Sequence, residues 1–231
     1  MAQKTKNQFW RILKKIALIL FISQFAYILF CKWINPPITI TQLVNVIQGN
    51  GLNRDYIDYE DMGRNIKLAV MASEDQLFPD HDGFDVKAIK KAMNYNEKHP
   101  TRARGASTIS QQTAKNVFLW QHGGFFRKGL EVYFTFMIEL TWNKKRILET
   151  YLNVAEMGTG IFGVQAAAKK YFNKDPKNLT PREAAMIAAC LPNPKKLTVV
   201  PPSRYISTRS ARILSQMNNL EGDPDIEALL K

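Results

Sequence analysis

Cysteine and histidine are scarce in this chain, with only Cys31 and Cys190 of the one and His81, His99 and His122 of the other. Two cysteines so far apart exclude a disulfide framework. Without an H-E-x-x-H spacing or a Cys/His cluster, a zinc or redox centre is not expected either. Acidic residues are also in deficit: 20 Asp and Glu face 32 Lys and Arg, for a net charge of +12. Such an excess calls for a polyanionic partner, whether nucleic acid, an anionic membrane or a phosphorylated substrate, and charge alone does not choose among them. Alternating apolar and polar runs long enough for strands are few, and there is no internal repeat. With 45% apolar and 23% charged residues in 231, general disorder is excluded, and the chain has room for one packed domain plus an appendage.

The appendage is N-terminal. Lys4, Lys6, Arg11, Lys14 and Lys15 precede an uncharged run from Ile16 to Cys31, with no acid before it. Sixteen residues are slightly short for a span, but Lys14, Lys15 and Lys32 can snorkel, and Trp10 and Trp33 flank the run as interfacial aromatics do. The reading is a cytoplasmic basic tail at 1–11, a transmembrane helix at 12–34 and a linker at 35–45, stiffened by Asn35-Pro36-Pro37. Residues 38–231 are then external, with the domain itself at 46–231. A cleaved signal peptide is the alternative, disfavoured because no small-residue cleavage site follows the run.

Beyond Pro37 the periodicity is helical. It predicts helices over Ile66–Ser73, Asp85–Tyr95, Ser107–Phe118, Phe126–Thr141, Lys144–Leu152, Gly163–Tyr171 and Arg204–Leu220. Thr180-Pro181-Arg182-Glu183 combines an N-cap, a first-turn proline and a capping glutamate, opening a further helix that stops at Pro192. The fold class expected is mainly α, a single helical domain on a membrane tether.

Three polar clusters exceed what core packing needs. Glu74 directly follows the apolar turn Ala69–Ala72, a position where a carboxyl set against hydrophobic packing becomes a general base or acid. Its neighbours Asp75, Asp80, Asp82 and Asp85 read more simply as caps and loop acids. The second cluster runs from Arg102 and Arg104 through Asn116. There Thr108, Gln111, Gln112, Lys115 and Asn116 fall on one helical face, a set of amide and hydroxyl groups with one ammonium that suits sugars and phosphate. Gly105, Ser107 and the helix N-terminus add donors for an anion. In the third, Arg127 and Lys128 lie one turn before Glu131, which shares its face with Phe134, Thr135 and Ile138; the simple alternative is an ordinary helix ion pair. Lys144-Lys145-Arg146 reads as a solvated helix start.

In order, Glu74-Asp75-x-x-Phe78-x-x-His81-x-Gly83-x-Asp85, Gly105-x-Ser107-Thr108-Ile109-x-Gln111-Gln112-x-x-Lys115-Asn116, Arg127-Lys128-x-x-Glu131 and Lys144-x-x-Ile147-Leu148-x-x-Tyr151-Leu152-Asn153 resemble the peptidoglycan glycosyltransferase family. Agreement covers roughly residues 60–195. Without S-x-x-K or K-T-G motifs, and with the chain ending at Lys231, the resemblance is to the monofunctional form, with no transpeptidase domain expected. It implies a lysozyme-like helical fold whose cleft borders the inner membrane. It implies polymerisation of lipid II into β-1,4-linked glycan, with inversion and release of undecaprenyl pyrophosphate. By motif position Glu74 would be the general base and Glu131 the second carboxylate. Lys115, Arg127 and Lys128 would meet the pyrophosphate, and Ser107, Thr108, Gln111, Gln112 and Asn116 would line the sugar-phosphate site. No covalent cofactor is implied; Mg²⁺ or Mn²⁺ can accompany the pyrophosphate, with Asp75 the nearest candidate ligand. Expected partners are lipid II, the growing strand, the membrane and cell-wall synthesis or division proteins, with no nucleic acid.

One position departs from the resemblance. Many members carry arginine eight residues before the second glutamate, where this chain has Gly123; either His122, Arg127 or Lys128 covers the charge, or stabilisation of the leaving group is weaker. Nearby Trp120, Phe125 and Phe126 either dip into the bilayer or pack in the core. Two rival readings remain: a membrane-bound lytic transglycosylase or lysozyme-like hydrolase, which has no need of the cation group, and a tethered module that binds anionic polymer without catalysis.

Overall fold

The computed structural model describes residues 2–100 and 104–231, with side chains from residue 8 onward. Arg102 of the second cluster lies outside the described residues, and the side chains of Lys4 and Lys6 lie outside the described side chains. Residues divide into two compact units, Met1–Pro36 and Pro37–Lys231.

The first unit is one helix, α1 (Ala2–Trp33), which takes in most of the span read as a basic tail. Its stretch Gln8–Trp33, 26 residues, is long and apolar enough to cross a membrane. At 1.5 Å per residue that is roughly 39 Å, more than a hydrocarbon core of about 30 Å requires.

In the second unit, the span read as linker takes in most of α2 (Ile40–Ile47), which begins with a full capping box between Thr39 and Gln42. Its polarity is inverted, since Thr41, Gln42 and Asn45 are buried whereas Ile40, Leu43, Val44, Val46 and Ile47 are exposed. The remaining helices are α3 (Arg64–Glu74), α4 (Val86–Lys98), α5 (Ile109–Phe118), α6 (Phe125–Thr141), α7 (Lys144–Val154), α8 (Val164–Phe172), α9 (Pro181–Cys190), α10 (Arg204–Leu220) and α11 (Pro224–Leu230). Every helix expected from the periodicity is present. Thr180 and Glu183 form the capping box that their spacing announced.

Two helical packings make the core. α5 buries Ile109, Ala114 and Val117 against α6 and α7, and α3 packs against α9 and α10. The small buried side chains of α9, Ala184, Ala185, Ala188 and Ala189, leave room for Ile66, Val70 and Met71 of α3 and for Ile206 and Ile213 of α10. β1 (Asn53–Arg54), β2 (Glu156–Gly158) and β3 (Ile161–Phe162) form a small sheet in the order β1-β3-β2. β1 runs parallel to β3, with Asn53 opposite Ile161, and β2 runs antiparallel to it. The functional consequence is at the end of α3, where the chain leaves the core facing α5, α7 and α10.

Candidate active site

Residues Ala69 to Ala72 of α3 are fully buried, and the helix ends on Glu74. The apolar turn lies under the backbone, but the Glu74 carboxylate itself meets polar donors rather than the hydrophobic packing expected from the sequence. Oε1 accepts from the Ser73 hydroxyl at 2.9 Å, and Oε2 accepts from Gln112 Nε2 at 2.9 Å. Gln112 is held in turn, its Oε1 accepting from the Tyr151 hydroxyl of α7 at 3.0 Å. From α10, Arg209 Nη2 donates to the Ser73 carbonyl at 3.2 Å and lies 3.4 Å from its hydroxyl. Each carboxylate oxygen thus accepts one bond and keeps a lone pair for a substrate proton.

The cations gather around Glu131. This carboxylate is 3% exposed, and its two oxygens are divided: Oε2 accepts from Arg127 Nη1 at 2.7 Å, and Oε1 accepts from Lys128. Lys128 also lies 3.4 Å from the Ser107 hydroxyl. Lys115 is lowered from the ordinary lysine pKa chiefly by burial, with Arg127 and Lys128 adding repulsion while Glu131 and Glu74 favour its charge. The sequence therefore brings Lys115, Arg127, Lys128, Glu131 and Ser107 together in three dimensions.

Three other predicted residues are committed to the scaffold. The Thr108 hydroxyl caps α5 by accepting from Gln111 N and donates to the Gly83 carbonyl at 2.7 Å, while the Gln111 side chain accepts from Thr108 N. Both are buried, so the expected polar face divides: Gln112, Lys115 and Asn116 face a cavity, and Gln111 does not. Asp75 is buried too. Its Oδ2 accepts from Ile109 N at 2.9 Å, and its carboxylate takes His81 Nε2 at 3.0 and 3.1 Å. Gly83 N donates to His81 Nδ1 at 3.2 Å, so the proton resides on Nε2 and points at Asp75. Gly83 has φ of +89°, and a Cβ there would come within 2.9 Å of Thr135, which explains the glycine. Asp75 thus spends its carboxylate on Ile109 N and His81, tying the loop to α5. Among the described residues no group of three His, Cys, Asp or Glu side chains could hold a metal ion. Lys144 donates to the His81 carbonyl and to Glu139 at 2.8 Å, bracing the same loop rather than standing in solvent.

Two cavities flank this wall. One, of about 380 Å³, is lined by Glu74, Lys91, Arg104, Gly105, Ser107 and Thr108 among others. The second, of about 410 Å³, reaches Gln112, Lys115, Asn116, His122, Tyr151 and Glu156. Burial raises Glu156 above the usual carboxylate range, while Lys195, at 3.8 Å, opposes that shift. Gly123 lies against the cation cluster, where a Cβ would approach Arg127 Cβ to 2.8 Å and Trp120 Nε1 to 3.1 Å. Arg127 therefore fills the space beside the missing arginine.

The geometry is matched by relatedness. The family model described as transglycosylase matches residues 41–218. The chain belongs to the transglycosylase family. It is similar to a protein of Bdellovibrio bacteriovorus named biosynthetic peptidoglycan transglycosylase, 44% identical over 218 residues that cover 90% of this chain and 87% of the relative. A protein of the same name from Haemophilus influenzae is 46% identical over 214 residues, covering 90% and 87%. Another from Escherichia coli is 54% identical over 170 residues, covering 74% and 70%.

Within this transglycosylase, sequence reasoning missed the parts that reach the site from afar. Arg209 stands 136 residues from Ser73 and carries no local signature. Lys91 adds a cation to the first cavity from α4, opposite Arg104 of the second cluster, which lines the same cavity. Tyr151 belongs to the motif beginning at Lys144, but its partner became visible only when α5 and α7 were seen packed together.

Proposed function

We propose that this transglycosylase polymerises lipid II into β-1,4-linked peptidoglycan strands by inverting glycosyl transfer. Glu74 takes the proton of the acceptor 4-hydroxyl as that oxygen attacks the donor anomeric carbon, and the bond from that carbon to the undecaprenyl pyrophosphate breaks. An alcohol needs such a base, and a departing pyrophosphate needs fixed positive charge aimed at its oxygens. The observation that carries the reading is the placing of one hydrogen-bonded carboxylate, Glu74, across the α5 wall from Lys115, Arg127 and Lys128. Glu131 keeps Arg127 and Lys128 in place between turnovers. Ser107, Gln112 and Asn116 offer hydroxyl and amide groups to the sugar-phosphate chain. A divalent cation bound with the substrate pyrophosphate would add to this charge, and no step is routed through it.

The anchor α1 holds the N-terminus in the cytoplasm and the catalytic unit outside the inner membrane, where the basic residues before the span would keep them. Phe125 is 99% exposed, and Phe126, Val132, Phe136 and Leu140 are exposed on the same helix, which excludes core packing for Phe125 and Phe126. This apolar surface on α6 enters the lipid interface and brings the cleft to its lipid-linked substrate.

Detergent-solubilised full-length protein incubated with labelled lipid II tests the reading. Long polymer is expected from the wild type, with finished glycan left uncut. Glu74→Gln should lower the rate by at least about 10²-fold without unfolding the protein. Cleavage of finished glycan in place of polymer formation would instead favour a hydrolase.

A further inference from the structure

We propose that Tyr151 is a positioning residue for the base, acting on Glu74 only through Gln112. The inference rests on the reading of Glu74 as general base. An ionised carboxylate can only accept, so Gln112 must turn its Nε2 toward Glu74 Oε2, 2.9 Å away. That choice turns the Gln112 carbonyl oxygen inward, where the Tyr151 hydroxyl stands at 3.0 Å. Tyr151 is 1% exposed, and burial pushes its phenol well above the ordinary tyrosine pKa, with Glu74 and Cys190 adding to the shift. The phenol therefore remains a donor throughout the working pH range. The opposite amide orientation would set a carbonyl oxygen against the carboxylate and lose the bond. Tyr151 thus selects the one orientation that keeps Glu74 aimed. The direction of donation is fixed along the whole chain, from phenol to amide to carboxylate.

The arrangement also sets Tyr151 itself apart from the cations. Tyr151 and Gln112 are on rigid helices, α7 and α5, whereas the cations that meet the pyrophosphate are Lys115 on a different turn of α5 and Arg127 and Lys128 on α6. Removing the phenolic hydroxyl leaves those cations in place. It changes the step in which the proton moves.

The test uses full-length protein in detergent with labelled lipid II, and circular-dichroism melting run beside it. Tyr151→Phe is expected to lower kcat by roughly 10- to 100-fold, the size of the charged Gln112–Glu74 hydrogen bond that is lost once the amide is free to turn, and to leave KM within about twofold. In a Gln112→Ala background, adding Tyr151→Phe should alter kcat by less than about twofold, because the two act as one unit. Unchanged kcat in Tyr151→Phe overturns the proposal, and so does an equal loss in both backgrounds, which would mark a structural role. If Tyr151→Phe melts below the assay temperature, Gln112→Met breaks the same chain from its other end. That variant is expected to lose kcat, with KM rising as well because Gln112 also offers its amide to the sugar-phosphate chain, and a normal kcat overturns the proposal. Glu74→Gln is assayed in parallel: an active Glu74→Gln overturns the base reading, whereas an inactive one beside a fully active Tyr151→Phe overturns the Tyr151 proposal alone.

Discussion

The Arg127 guanidinium donates to Glu131 Oε2 at 2.7 Å, across one turn of α6 and almost wholly out of water. On an exposed helix, arginine placed four residues before glutamate is the weaker orientation. Here burial removes the screening that makes surface pairs nearly worthless. Glu131→Gln leaves an acceptor of the same shape but removes the charge that balances Arg127 and Lys128. The expected outcome is a loss of turnover of about 10²-fold together with a melting temperature lower by several degrees. Lipid II kinetics and a thermal melt check this. A variant with near-normal rate and melting would remove Glu131 from both roles.

Lys115 predicts a pH dependence with a definite sign. Burial lowers its pKa, so it loses its charge at a lower pH than an ordinary lysine would. Glu131 and Glu74 face it and oppose the shift, while Arg127 and Lys128 face it and add to it. Inhibition by inorganic pyrophosphate should therefore weaken as the pH rises, beginning below the usual lysine range near ~10.4. Lys115→Arg, which keeps its charge at all these values, should abolish that weakening even if its altered geometry lowers the rate. Pyrophosphate inhibition measured from neutral to alkaline pH distinguishes the two, and parallel curves would dismiss Lys115 as the titrating group.

Gly123 is read as an occupied position, its missing side chain replaced by the stem of Arg127. Restoring the arginine common in the family should therefore fail to accelerate this enzyme. Gly123→Ala places a Cβ 2.8 Å from Arg127 Cβ, a backbone-proximal atom that cannot step aside cheaply. Displacing Arg127 by even a fraction of an ångström is expected to cost about tenfold in rate, with Gly123→Arg no better. Steady-state turnover of both variants decides the matter, and a faster Gly123→Arg would show that the charge is missing rather than supplied.

The helices were readable because their apolar spacing and caps are local properties, and Thr180, Pro181 and Glu183 announced α9 within four residues. At α5 the same residues carry two signals. Thr108 and Gln111 have capping-box spacing as well as the polarity of a recognition surface, and the packed helix shows both forming the cap, with Thr108 also lining the first cavity. Asp75 follows Glu74 in sequence but points inward to Ile109 N, because α3 ends between them. The strands escaped periodicity since two or three residues cannot display an alternation. Arg209 and Tyr151 belong to distant helices and reach Glu74 through Ser73 and Gln112, so no window of sequence contains the relationship.

The exposed aromatics at the start of α6 give the last expectation. Phe125 and Phe126 stand beside Arg127 and Lys128, so one turn of helix carries both the surface proposed to enter lipid and the cations proposed to meet the pyrophosphate at the end of that lipid. Such an arrangement fixes the depth of the cations relative to the interface. Replacing both phenylalanines by aspartate removes apolar area without touching Glu74, Gln112 or Tyr151. In proteoliposomes the double variant should show an apparent KM for lipid II raised roughly tenfold, in line with losing several kcal/mol of interfacial burial partly offset by the α1 anchor. In detergent, where the substrate needs no bilayer to be extracted from, kcat should remain within about threefold of wild type. An equal loss in both media would place the two side chains in folding or chemistry instead. Unchanged KM in proteoliposomes would leave α6 outside the membrane altogether.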